Sequence, residues 1–111
     1  MPDRRPPVPR ISALQFLALG ILVAGERSGR EIRRIARTFR LERTAAAFYQ
    51  MMARLERDGF VEGWYHQIHV ADQAVTERRY RITPLGHRAW SRARAFYHAV
   101  ERAALEGWSN A

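Results

Sequence analysis

The sequence contains no cysteine and no lysine. The first absence excludes disulfide scaffolds, thiolate zinc sites and cysteine nucleophiles. It agrees with a reducing compartment, and a cytoplasmic location is expected. The second absence leaves all 19 basic side chains as arginine, against 11 acidic ones, for a formal net charge of +8. Long apolar runs are also missing. The longest, residues 11–25, is interrupted by Gln15 and falls short of the roughly 20 residues that span a bilayer. Arg4, Arg5 and Arg10 precede that run, and Val23-Ala24-Gly25 has the small-residue form of a signal-peptidase site. A buried helix is nevertheless its expected role. Proline is scarce after residue 9, with four of the 5 prolines inside the first ten positions.

What remains is a chain of 111 residues, 47% hydrophobic, enough for one domain with one core. Residues 1–10 form a flexible, basic, proline-rich arm. Residues 11–24 read as a first helix, apolar nearly all round, which needs cover on more than one side. Residues 30–39 form a second, with Ile32, Ile35, Ala36 and Phe39 at helical spacing. A third runs over residues 43–58, with Ala45, Phe48, Met52 and Leu55 inward, and Gly59 ends it. The pattern then turns to β over residues 60–70 and 78–83, joined by a long polar tip at residues 71–77. Thr83 caps a final helix that starts at Pro84. That helix carries two apolar stripes, one through Phe96 and one through Trp90 and Tyr97, which implies two partners. The resulting division is an arm (1–10), a winged-helix domain (11–83) and a dimerisation helix (84–108).

Three helices followed by a hairpin is the order of a winged helix-turn-helix, a mainly α fold with a small β-hairpin. There the third helix lies in the DNA major groove and the hairpin approaches the backbone or minor groove. Residues 26–58 hold nine arginines against five acids, and Arg78, Arg79 and Arg81 gather on the second strand. The arginine fork suits phosphate because it makes two parallel hydrogen bonds. Duplex DNA is therefore the expected partner, in preference to a membrane surface, for which the arginines form no single face.

Two motifs carry a resemblance. Phe48-Tyr49 followed by Arg54-Leu55-Glu56-Arg57-Asp58-Gly59-Phe60-Val61, and then Tyr80-Arg81-Ile82-Thr83-Pro84-Leu85-Gly86, resemble the PadR-like family of winged-helix transcriptional regulators in its short form. Where the family commonly has His-Gly-Tyr, this chain has Ser28-Gly29-Arg30, and Ala47 replaces a small polar residue. The resemblance implies a homodimeric repressor with Tyr49 facing the DNA backbone. It also implies a dimer seam built from the first and last helices, where a small aromatic ligand sits near Phe16, Trp90, Tyr97 and Trp108. From the residues themselves, Thr44 and Gln50 face base edges, glutamine being suited to adenine, and Ala47 lies on the same DNA-binding face without a hydroxyl for phosphate. Arg43, Arg54, Arg78 and Arg79 hold phosphates.

Catalysis is not expected, and neither is a cofactor. His66 and His69 stand three apart in a strand and point to opposite faces, and no serine, histidine and acid form a nucleophile pattern. The alternative function is a winged-helix module that binds proteins and not DNA, suggested by the alanines at 46 and 47 and by a wing tip without glycine.

Overall fold

The computed structural model describes residues 5–109, the side chains of 108 and 109 excepted. Arg4 of the arm and the Trp108 side chain expected at the dimer seam lie outside the described residues. The elements follow as α1 (Ala13–Val23), β1 (Arg27–Ser28), α2 (Gly29–Thr38), α3 (Ala45–Arg57), β2 (Val61–Val70), β3 (Gln73–Ile82) and α4 (Pro84–Ser109). This is the expected winged-helix order with a long terminal helix. Among the described residues no helix is long and apolar enough to cross a membrane.

Local chemistry sets the helix starts. Ser12 accepts from the Gln15 N–H at 3.1 Å, and the Gln15 side chain accepts from the Ser12 N–H at 2.8 Å. The same reciprocal box joins Ser28 and Glu31 at the head of α2, each box satisfying donors that a helix start leaves open. The α2 box places the helix one residue earlier than apolar spacing alone indicates. At α4 the Thr83 hydroxyl accepts from the Gly86 N–H at 3.0 Å and donates to the Gly59 carbonyl at 2.6 Å. It therefore caps the helix and ties it to the end of α3.

The core sits where α1, α2, α3 and the root of the hairpin meet. Leu19, Leu22, Ile32, Phe48, Met52, Leu55, Val61 and Tyr80 are almost fully buried, each large apolar side chain contributing about 1.5–3 kcal/mol of transfer free energy. Two positions depart from the expected stripes. Ala45 is exposed and Met51 is buried in its stead, because α3 is rotated so that residues 48, 51, 52 and 55 face inward. Phe39 is also 62% exposed, since α2 ends at Thr38 and the chain turns through Arg40 in a left-handed conformation.

The hairpin corrects the expected long tip. β2 and β3 pair without interruption from Val61–Ile82 to Val70–Gln73, leaving a two-residue turn of Ala71 and Asp72. Both turn residues have positive φ, 51° and 65°, the backbone a tight hairpin turn needs. Residues 73–77 therefore belong to β3: Val75 sits opposite Ile68 and Thr76 opposite Gln67, pairs that stabilise a ladder despite the polar sequence. β1 adds a third strand, Arg27 opposite Tyr80 and Ser28 opposite Arg79, in the order β1-β3-β2. The arm follows the terminal helix, with Pro7, Val8 and Pro9 bordering a groove that Phe60, Ala89 and Ala93 complete.

Candidate nucleic-acid interface

α3 turns one face to solvent. Ala46, Gln50, Ala53 and Arg57 are exposed at helical spacing, opposite Phe48, Met52 and Leu55, and exposed Arg43 and Arg54 flank them. Ala53 belongs to this ridge, although sequence reasoning had not placed it there. Ala47 is half-buried. Thr44 is exposed and spends its hydroxyl oxygen on the α3 N-cap, accepting from the Ala47 N–H at 3.1 Å. Arg43 donates to the Glu42 carbonyl at 2.9 Å, which steadies its base and leaves most of the fork open.

Tyr49 stands half-buried beside Phe48, edge-on, with ring centroids 5.1 Å apart. It also fills the space above Gly29, where an added Cβ would meet its hydroxyl at 2.8 Å. A side chain at position 29 would displace the tyrosine. Glycine there lets α2 and α3 approach closely.

Arg78 and Arg79 are engaged inside the fold. Arg78 donates to both Glu56 carboxylate oxygens, at 3.1 and 2.8 Å, and Glu56 also accepts from the Gly63 N–H at 3.2 Å. One carboxylate thereby pins the end of α3 to both strands of the wing. The Arg78 guanidinium also lies over the Tyr65 ring, 4.7 Å from its centroid. Burial works against the charge of Arg78, but its hydrogen bond to Tyr80 and the Glu56 carboxylate outweigh this and raise its pKa further. Burial pushes the Tyr80 hydroxyl up, and contact with Arg78 only partly opposes this. Neither group changes charge near neutral pH. Arg79 pairs with Glu77 at 2.9 Å and lies 3.7 Å from Glu26 and 3.9 Å from Glu31. Apart from Glu77, two positions from Arg79, these partners are remote in sequence, so charge counting left both arginines open.

On the opposite side, α1 and α4 bring the expected aromatics together within one subunit. Phe16 stacks on Trp90 with centroids 6.3 Å apart and meets Tyr97 at 5.2 Å. Gly20 admits the Trp90 indole, since an added Cβ would lie 2.9 Å from Nε1. Tyr97 remains 44% exposed, and Val100 and Leu105 further along α4 are 49% and 64% exposed. His66 and His69 do occupy opposite faces of the hairpin, opposite Glu77 and Ala74 respectively.

No family model matches the sequence, and no curated protein matches it. The fold, in contrast, has many solved counterparts. A PadR family transcription regulator from hypervirulent Clostridium difficile superposes with a TM-score of 0.73 at 14% identity, covering 87% of this chain and 99% of that one. A transcriptional regulator from Clostridium thermocellum gives 0.65 at 21% identity, covering 86% and 96%. Bacillus subtilis PadR, solved in complex with operator DNA, gives 0.58 at 19% identity over 72% of this chain and 45% of that one. Over the superposed parts, the chain has the fold of the PadR-like winged-helix transcriptional regulators.

Proposed function

We propose that the chain is a homodimeric, DNA-binding transcriptional repressor of the PadR type, without enzymatic activity. One observation carries this reading. The exposed ridge of α3 carries two small alanines and one polar side chain (Ala46, Ala53 and Gln50) and is bordered by Arg43, Arg54 and Arg57, with the wing beside it. Small side chains let a helix approach base edges closely, and the bordering arginines meet the phosphates on either side. Gln50 and Thr44 read bases, Ala47 permits the approach, Arg43 and Arg54 hold phosphates, and Tyr49 supports the backbone contact. Arg78 and Arg79 act from behind by fixing the wing against α3 and α2. The Bacillus subtilis relative solved with operator DNA supports the same partner for this fold.

The exposed apolar row of Tyr97, Val100 and Leu105 on α4 supports dimerisation through α1 and α4. Sedimentation of the full chain should therefore give twice its 12.9 kDa mass. Two recognition helices then meet half-sites about one helical turn apart. A flat aromatic ligand at the seam stacks on Tyr97, because Phe16 and Trp90 already stack on each other. Its binding alters the spacing of the two α3 helices by favouring one dimer arrangement.

Fluorescence anisotropy on duplexes from upstream of the chain's own coding region tests the reading. Arg54→Ala should weaken binding on all duplexes alike and reduce the salt slope by about 1. Binding lost at one base position only would contradict a phosphate role. A stoichiometric protein partner recovered without any DNA shift would favour the protein-binding alternative.

A further inference from the structure

Residues 5–10 run along α4 with two open grooves beside them. One, of about 590 Å³, lies toward Phe60, Ala89 and Ala93. The other, of about 420 Å³, is bordered by Phe96, Ala99, Val100 and Ala103. Pro7 and Val8 border both. We infer that the arm belongs to the subunit interface: a second copy of the chain seats against the strip that Val8 and the distal half of α4 form together. The inference rests on the dimer reading above and extends its seam to a segment outside α1 and α4.

Within one subunit Val8 buries little. It is the one branched aliphatic side chain of residues 1–10, and it stays 72% exposed although an apolar helix face lies beside it. Protein interiors leave few voids larger than a water molecule. Grooves of this size, beside a segment already touching its own helix, are therefore surfaces still to be covered. Among the described residues that border the second groove, Arg5 alone is charged. Such a lining suits another apolar strip and disfavours an ionic occupant. The prolines favour the same use. Pro6, Pro7 and Pro9 hold the arm extended before contact, so association costs less chain freedom.

Continuity and area select the second copy as the occupant. Val100 borders the second groove and also stands in the exposed row with Tyr97 and Leu105, so arm and row form one surface. The row alone is too narrow for a stable pair. Residues 97–107 rise about 16 Å, and a strip of that length and a helix's width of ~10 Å presents on the order of 200 Å². A standard interface takes about 800 Å² from each partner. The arm widens the strip on the side where Val100 stands. In an isologous pair both subunits present the same patch, so each Val8 acts twice per dimer.

Sedimentation equilibrium of the full chain over a concentration series decides the matter. Val8→Ala should weaken the dimer roughly 10-fold, and Val8→Asp roughly 100-fold, through lost apolar burial and a desolvated carboxylate. Val8 is exposed in the single subunit, so both variants should keep the wild-type circular dichroism. Val70→Asp provides the control: it stands at the wing tip, 55% exposed, adds the same charge outside the seam, and should leave the dimer as tight as wild type. Because the chain has no cysteine, a single bimane label on Val8→Cys reports its surroundings directly. Its emission should shift to the blue as concentration rises through the dimer range. A dimer unaffected by Val8→Asp overturns the arm seam and leaves the dimer reading intact. So does equal weakening by Val70→Asp, or a labelled chain that dimerises without a change in emission. A wild-type chain that stays at 12.9 kDa at every concentration overturns both.

Discussion

Gly86→Ala is expected to lower the thermal midpoint by roughly 12 °C, a loss of about 3 kcal/mol from overpacking. The cause is local. A Cβ at position 86 would lie 2.0 Å from the Phe60 carbonyl oxygen and 2.9 Å from Ile82 Cγ1. The first of these is backbone, already accepting from the Thr83 N–H at 3.1 Å, so no rotamer change relieves the clash. The start of α4 must move away from the root of the wing, and Ala93, buried further along α4, moves with it. Gly107→Ala in the same helix provides the contrast, because nothing lies within 4 Å of the added methyl. There the helix gains about 0.5–1 kcal/mol from lost chain freedom in the unfolded state. Equal midpoints for the two variants in a calorimetric scan would contradict this packing at the α4 start.

The larger functional effect is electrostatic. Raising salt from about 50 to 200 mM should weaken duplex binding by about 10³- to 10⁵-fold, as expected for roughly 6–10 phosphate contacts. The estimate follows from which arginines remain open. Arg78 and Arg79 are bound to carboxylates inside the wing, and Arg81 is held by Glu62 at 2.6 Å. Arg30, Arg43 and Arg54 on α2 and around α3 are exposed. Three to five contacts per subunit, doubled in a dimer, give that range. The net +8 matters less than the placement of these few side chains.

Much of this architecture was legible in the residues. Apolar spacing located all four helices, and Thr83-Pro84 marked the start of α4, because caps and amphipathic faces are local properties. β1 was not legible, since two residues carry no periodicity and are strand only by pairing with Tyr80 and Arg79. The tight Ala71-Asp72 turn was missed for a related reason: neither residue is glycine or asparagine, and the ladder beyond it imposes the left-handed backbone. At the candidate site most of the outward face of α3 followed from its buried face, but Ala45 and Ala53 are exposed against expectation and Ala47 is half-buried. The engagement of Arg78 by Glu56 did not follow, because 22 positions separate them and only the folded hairpin brings them together. Phe16, Trp90 and Tyr97 were expected near one another. That they stack inside a single chain, and so leave chiefly Tyr97 for a ligand, required the α1–α4 geometry.

The central claim is that α3 and its arginines form a duplex-binding face. Its most direct measurement is a salt series of anisotropy titrations with a labelled duplex from upstream of the chain's own coding region. The predicted result is a straight line of log affinity against log salt with a slope of about −5 to −9. Absence of binding at about 50 mM salt, or an affinity indifferent to salt, would contradict it.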